Sequence, residues 1–398
     1  MIYGPSDTHS QITKSGNQTM PLATWIDSES NYYGDWKIMK AAVLREVNKP
    51  LEIEDVECNS PGPREVLIKT AAAGVCHSDL HFINGSYPHQ LPVILGHESA
   101  GIVEAVGSAV TYVKPGDHVI TCLSAFCGHC EHCLTGHMSL CGEPELQRGP
   151  EEQPRLAKGE ERVEQFLNLS SFAEYMLVHE HAIAKIREDM PLDRAALIGC
   201  GVTTGVGAVI HTAKVEPGST VAVIGCGGVG LSAINGAAIA GASKIIAIDM
   251  IESKLDLARK FGATDVVNAK NDDPVQAVRD LTGGGVHYSF EAIGLAATAQ
   301  QSFKMLNFGG TATIIGMIPV GTLVELHGPE FLMERKMQGS NMGSNRFRVD
   351  MPRFVEFYLQ GKLHLDDLIS RRITLDEVND GIAALETGEV ARSVIMFD

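Results

Sequence analysis

The run TVAVIGCGGVG, residues 220 to 230, constrains the fold more than any other stretch of the chain. An apolar, β-branched segment leads into three spaced glycines, Gly225, Gly227 and Gly230. An apolar, helix-like segment follows, and the next strand-like run, KIIAID, ends on Asp249 about 20 residues further on. This is the pattern of a dinucleotide-binding turn. The first glycine permits the turn, the second lets a pyrophosphate approach the backbone, and the third lets helix and strand pack closely. Gly228 and Val229 complete the loop. The helix start offers free N–H groups and partial positive charge to phosphates. Asp249 can accept hydrogen bonds from both ribose hydroxyls but would repel a 2′-phosphate, so NAD is expected rather than NADP.

The surroundings agree with that turn. From about residue 202 to residue 342 the runs TVAVIG, KIIAID, DVVNA, VHYSFEA, TATIIGM and KMQGSNM alternate with helix-like stretches such as ESKLDLARKFG. Strand–helix alternation of this kind predicts an α/β fold with a doubly wound, parallel, six-stranded sheet. Upstream, KAAVLR, EVLIKTAAAG, AGIVEAVG and HVITCLS are short β-like runs between Pro/Gly turns, an irregular β-rich part. Residues 143–165 are densely charged and aperiodic and are expected to form a surface loop, with regular structure resuming at FAEYMLVHEH. Residues 1–38 are polar and aperiodic and read as an N-terminal extension outside the core, a candidate for disorder. With 398 residues the chain exceeds one ordinary core, and two domains are expected.

Charge and cysteine use exclude several roles. The formal charge is −17, and no Lys/Arg cluster supplies the basic footprint that nucleic acid needs. The start of the chain lacks the apolar core of a signal peptide. The uncharged stretch from Ser219 to Ser243 is interrupted by glycines and breaks into strand, loop and helix, which argues against a membrane span. Nine cysteines without a secretory signal point to a reducing, cytoplasmic setting, where clustered thiols bind metal more often than they pair.

Four of the cysteines lie close together: Cys127, Cys130, Cys133 and Cys141, spaced C-x2-C-x2-C-x7-C. Four thiolates suit a closed tetrahedral Zn²⁺ site, with an iron–sulfur cluster as the rival. A closed shell admits no substrate, so this group is expected to be structural. Three more donors are scattered: Cys76 in GVCHSDLH, His97 in LGHESAG and Cys200 in LIGCGVTTG. A Cys, a His and a Cys make a catalytic zinc shell with one open position, provided the fold brings them together.

With these motifs in place, the chain resembles the zinc-dependent medium-chain alcohol dehydrogenases from about Lys40 to its end. The marks are GVCHSD, the GHE-x-x-G-x-V-x-x-V-G run from Gly96 to Gly107, the four-cysteine lobe, LIGCG-x-x-T-G, GCGGVG with Asp249, and the terminal ARSVIMF. The resemblance implies a GroES-like β-rich catalytic domain over residues 39–201 and 343–398, with a structural-zinc lobe at 122–142. A Rossmann NAD domain would occupy residues 202–342. It assigns catalytic zinc to Cys76, His97 and Cys200, and structural zinc to the four clustered cysteines. Glu98 becomes the carboxylate just outside the metal's ligands, and Asp79 the group that orients His97. Ser78 and His81 become a proton relay. His77 and Arg392 would face the cofactor pyrophosphate, Thr204 the nicotinamide, and Lys254 the adenosine ribose.

By the same resemblance the reaction is reversible hydride transfer between an alcohol and NAD, with the proton leaving through Ser78, the cofactor ribose and His81 to solvent. Spacing against the family places pocket walls at Tyr87, Leu123, Leu146, Phe166, Leu167 and Met317. These apolar walls favour a primary aliphatic or aromatic alcohol. A thiol-dependent formaldehyde dehydrogenase of glutathione or mycothiol type is the alternative. Glu145, where glutathione-dependent relatives carry arginine, weakens only the glutathione version. A non-enzymatic metal- or redox-sensing module and a purely structural protein on the same fold stay open at this point. The family further implies a homodimer or homotetramer, with a small alcohol or aldehyde, and neither nucleic acid nor membrane, as partner.

Overall fold

The computed structural model describes residues 32–33, 36–387 and 392–398. The expected extension, residues 1–38, lies outside the described residues except at its end. There Tyr32–Tyr33 pairs antiparallel with Trp36–Leu44, a strand that begins four residues before Lys40.

The nucleotide-binding half is a six-stranded parallel sheet. Its order across the sheet is Asp265–Asn268, Lys244–Asp249, Thr220–Ile224, Val286–Glu291, Leu306–Ile314 and Lys336–Gly339. The first strand in sequence is central, so chain direction switches beside it and leaves a crevice at the strands' carboxyl ends. Val221 to Ile224 are all buried, because helices cover both faces of such a sheet and demand continuous apolar runs. Local signals agree with the global fold. Asp273 caps helix Pro274–Thr282 by accepting from Val275 N and Gln276 N at 2.9 and 3.0 Å, and Gly283 ends it in the left-handed region.

The catalytic half has two sheets. The first runs Glu164–Gln165, Val93–Ile94, Trp36–Leu44, Glu52–Asn59, Leu156–Lys158 and Glu161–Arg162, with Tyr32–Tyr33 attached. The second runs Ile183–Lys185, His118–Thr121, Glu98–Val106, Glu65–Val75, Arg392–Met396 and Ile369–Ile373, with Tyr175–His179 added on Glu65–Val75. The last strand of the chain thus lies inside this sheet, between Glu65–Val75 and Ile369–Ile373, pairing Ser393 with Val75.

One element was not legible as a helix. Leu192–Thr212 is continuous, with two wider π turns at Ile198–Val202 and Ala208–Thr212. Its glycines and β-branched residues are poor helix formers, yet packing requires them. A Cβ on Gly205 would sit 2.4 Å from the Val229 carbonyl, where this helix crosses Gly228–Ile239. It packs against Glu65–Val75 and Glu98–Val106 at one end and against the nucleotide half at the other. The expected boundary at residues 201/202 therefore falls inside a helix shared by both halves. This helix is long and apolar enough to cross a membrane, but 83% of its most apolar window is buried inside the protein. The stretch Ser219–Ser243 resolves into strand, glycine loop and helix.

The charged segment 143–165 corrects the sequence reading. It holds a short helical turn, Pro144–Leu146, and three short strands that extend the first sheet. Arg155 is buried; it donates from Nε to Glu65 at 2.7 Å, and to Gln165 and the Leu146 carbonyl. Arg148 makes a second ion pair with Glu65 at 2.5 Å. Strands of two or three residues leave no period to read, and charges that pair across 83 and 90 residues look solvated in sequence.

Burial works against the Glu65 carboxylate, but Arg148 and Arg155 outweigh it and hold its pKa below the ordinary value. Stability from this group is therefore present above the usual glutamate pKa of about 4.3 and lost as pH falls through the lower folded value. Glu65→Gln strands Arg155 in the interior and is expected to cost about 3–5 kcal/mol in denaturant unfolding at pH 7. The deficit should shrink in acid, where the wild type also loses the carboxylate. Equal unfolding midpoints for both proteins at pH 7 would contradict this account.

Candidate metal and cofactor site

The site is built around the short helix His77–Ile83, whose N-terminal neighbour is Cys76. Asp79, in its first turn, is fully buried. Its Oδ2 accepts from Cys76 N at 3.0 Å, while Oδ1 accepts from Gly96 N at 3.2 Å and faces His97 Nδ1 at 3.0 Å. One carboxylate thus ties two loops together and fixes the imidazole, because an Nδ1–H donating to Asp79 leaves the Nε2 lone pair free. His97 Nε2 is buried and has no protein partner. A buried acceptor without a partner is costly unless something fills the place.

Two sulfurs point to what fills it. The ligand atoms of Cys76, His97 and Cys200 all lie within 4.8 Å of one another, and all three residues are buried. Cys200 arrives from the π turn Ile198–Val202, whose widened backbone presents the thiol inward. Zn–S and Zn–N bonds of about 2.3 and 2.0 Å put tetrahedral ligand atoms roughly 3.5–3.8 Å apart, so this donor set fits one zinc ion with a position to spare. Of the two thiols, Cys76 ionises first. Its contact with Cys200 favours the thiolate against burial, and Arg392 and His97 add to that preference. Cys200 is correspondingly held up by Cys76 and by burial. Burial disfavours a charged His97, but Asp79 and then Cys76 outweigh it and raise its pKa.

Glu98 and Arg392 connect this group to the glycine loop. Glu98 is fully buried and pairs with Arg392 Nε at 3.1 Å; its other oxygen accepts from Gly201 N at 3.1 Å. Burial pushes the Glu98 carboxyl up to about 7, against the pull of Arg392. The Arg392 guanidinium also lies 3.6 Å from Cys76 Sγ and packs on Gly228, the first residue of helix Gly228–Ile239. At Gly230 a Cβ would strike the Gly225 carbonyl at 1.7 Å, so only glycine closes the turn. Asp249 reaches the same loop: Oδ2 accepts from Cys226 N at 2.8 Å, and Oδ1 from Met250 N and Ile251 N.

The four clustered cysteines form a second donor set, again with all sulfurs within 4.8 Å. Cys127 and Cys133 are 3.8 Å apart, Cys130 and Cys141 4.0 Å. That spacing matches a single tetrahedral zinc, about 3.8 Å between sulfurs; a cluster of several irons would hold its thiolates farther apart. Amides of His129 and Cys130 donate to Cys127 Sγ, and these bonds lower its pKa to about 7 although burial opposes them.

The remaining expected residues fall in different places. Ser78 Oγ lies 3.7 Å from Cys76 Sγ, and His81, on the same helix, has a buried Nδ1 without a partner. The His77 and His81 rings meet at 6.1 Å. Thr204 is buried and donates to Met342 Sδ at 3.3 Å. Lys254 lies in helix Glu252–Lys260, which follows the strand ending in Asp249. Tyr87 borders His81 at 5.8 Å, and Phe166 meets the His97 ring edge-on at 5.7 Å. Leu167 packs in the same apolar cluster as Phe166, and Leu123 against the one that contains Cys76 and Cys200. Met317 lies across from Gly294 at the end of the nucleotide sheet. Leu146 is buried with Val66, Ile68 and Met176 beneath the second catalytic sheet, in a cluster against which Leu123 also packs, and Arg155 anchors its short helical turn there. Sequence reasoning missed Phe82, which bridges Tyr87 and Phe166 at 5.9 and 4.7 Å, since only the tertiary contacts mark it.

Comparison with known proteins matches this geometry. Residues 62–188 match the alcohol dehydrogenase GroES-like domain, and residues 228–359 the zinc-binding dehydrogenase domain. Alcohol dehydrogenase class-3 of Pisum sativum is 42% identical over 365 residues, covering 89% of this chain and 97% of that protein. The Drosophila melanogaster protein of the same name is 41% identical over 368 residues, covering 90% and 97%. The chain belongs to the zinc-dependent medium-chain alcohol dehydrogenase family. Among solved structures, benzyl alcohol dehydrogenase from Acinetobacter calcoaceticus superposes with a TM-score of 0.86 at 35% identity, covering 91% of this chain and all of that one. A zinc-binding dehydrogenase domain protein from Burkholderia ambifaria gives 0.88 at 36% identity, covering 92% of this chain and 100% of its own. As a member of the family, this dehydrogenase is an NAD-dependent zinc oxidoreductase, and its two donor sets suit its two zinc ions.

Asp79→Asn in this dehydrogenase should loosen His97 and weaken zinc at the Cys76–His97–Cys200 set by about 10- to 100-fold. The four-cysteine zinc should be untouched. Timed zinc release to a chelator would show one fast and one unchanged ion; two unchanged ions would contradict the role given to Asp79.

Proposed function

We propose that this dehydrogenase oxidises a primary alcohol with an apolar, preferably aromatic, body to the aldehyde, reversibly. The observation that carries the reading is the run of rings beside the Cys76–His97–Cys200 set: Phe166 against His97, Phe82 against Phe166, and Tyr87 against both Phe82 and His81. Such a wall offers an aromatic alcohol edge-to-face contacts and offers a polyol no partners for its extra hydroxyls. The neighbouring structure named benzyl alcohol dehydrogenase supports the same direction.

When bound, zinc supplies Lewis-acid polarisation of the alcohol and NAD supplies the hydride acceptor. The chain's own residues do the rest. Ser78 Oγ, beside Cys76, takes up the alcohol proton, and His81 carries it outward. Burial and the neighbouring His77 lower the His81 pKa, so the ring is neutral near pH 7 and able to accept. Asp249 would hold the ribose hydroxyls, and the amides opening helix Gly228–Ile239 would hold the pyrophosphate next to Arg392. Glu98 balances the Arg392 charge, so that the guanidinium stays between the metal ligands and the cofactor loop. Phe166, Tyr87 and Met317 exclude water from the reacting carbon.

The purified enzyme with two zinc ions should reduce NAD, read at 340 nm, with kcat/KM for benzyl alcohol at least about tenfold above ethanol. One or two buried apolar groups are worth a factor of that size. Formaldehyde plus glutathione or a mycothiol-type thiol should be the poorer substrate. A higher kcat/KM for the thiol adduct would replace this reading with the thiol-dependent one, and no turnover of either would point to a binding module.

A further inference from the structure

A hydrogen bond crosses the cleft between the two halves of the molecule. Tyr87 Oη donates to the Ile318 carbonyl at 2.6 Å, across 231 residues of sequence. On the catalytic side, Tyr87 is well seated. Its N–H donates to His81 O at 3.0 Å, and its ring packs on His81 and Phe82. On the nucleotide side, Ile318 belongs to the segment that leaves strand Leu306–Ile314. Ile315 N and Gly316 N both donate to the Glu291 carbonyl, at 2.8 and 3.0 Å. The Glu291 carboxylate in turn accepts from Ile293 N, Gly294 N and Thr298 Oγ1 at 3.0, 2.8 and 2.7 Å. A Cβ on Gly294 would lie 2.5 Å from the Met317 carbonyl, so the two loops are in close contact. The segment is therefore fixed to the sheet at one end and to the catalytic half by one phenol at the other.

The place of this bond gives it a consequence. Ile224 and Glu291 are register partners at the carboxyl end of the sheet, so the 315–318 segment flanks the crevice where the glycine loop receives the dinucleotide. Halves of a chain joined across a cleft move relative to each other unless contacts hold them. The Tyr87 hydroxyl is already committed to Ile318, which leaves its ring, and not its polar tip, as the face for substrate.

We propose that Tyr87 is a positioning residue whose hydroxyl ties the catalytic half to the 315–318 segment, fixing the width of the cleft and slowing release of the nicotinamide cofactor. This deepens the reading given above and rests on NAD occupying that crevice. A cofactor that contacts both walls binds best when the walls are held at one spacing, so a bond that holds that spacing adds to its affinity.

NADH binding to the zinc-loaded enzyme, followed by nicotinamide fluorescence and by stopped-flow displacement, tests this without alcohol. Tyr87→Phe removes the hydroxyl and keeps the ring. It should raise the NADH dissociation rate and dissociation constant about three- to tenfold, the size of one net hydrogen bond. In steady state KM for NAD should rise by a similar factor, and two zinc ions should remain; a merely structural defect would lower zinc content. Tyr87→Ala, which also removes the ring, should release NADH at least as fast. If Tyr87→Phe stays within twofold of wild type, the tie is refuted, including the case in which only Tyr87→Ala weakens binding. Wild-type enzyme that bound no NADH would overturn the cofactor reading and the tie with it.

Discussion

A single buried carboxylate, Asp79, organises the catalytic end of the molecule. It gathers the amides of Cys76 and Gly96 and the Nδ1 of His97. Three donors satisfy a charge that would otherwise be prohibitive in the interior. In exchange the carboxylate sets three things at once: the direction of the helix after Cys76, the turn before His97, and the tautomer of the imidazole. The sulfur and the nitrogen then face the same point because the same group holds both. Cys200 completes the set from a separate element, and its approach depends on a helix that packs on both halves of the chain.

That helix, Leu192–Thr212, explains why metal and cofactor are neighbours. Its first turns lie on the second catalytic sheet, its π turn carries Cys200, and Gly205 lets it touch the helix that follows the glycine loop. The Glu98–Arg392 pair makes the second connection, from beside His97 to Gly228. Replacing either partner would leave a buried charge alone, an expensive state. The chemistry asks for a hydride donor carbon and an acceptor ring within bonding reach, and these two connections fix the walls between which both must lie.

Much of this was legible in the sequence. The six strands around GCGGVG and the Asp249 position follow from local rules, since each strand buries a continuous apolar run and each turn needs particular residues. The donor residues were also legible as types and spacings. Their convergence was not, because Cys76, His97 and Cys200 meet through contacts that no periodicity encodes. The helix 192–212 was missed because glycine placed for close packing lowers helix propensity. The segment 143–165 was misread because Arg148 and Arg155 look solvated until Glu65 is found beneath them. Phe82 went unnoticed because its partners Tyr87 and Phe166 lie outside its own helix.

The most direct test of the account is anomalous scattering from crystals of the enzyme, measured on both sides of the zinc absorption edge. The account predicts two peaks per chain, one enclosed by Cys127, Cys130, Cys133 and Cys141, the other within bonding distance of Cys76 Sγ, His97 Nε2 and Cys200 Sγ and open to the cleft. A zinc-replete crystal with no peak among Cys76, His97 and Cys200, or with an ion there sealed from the cleft, would contradict it.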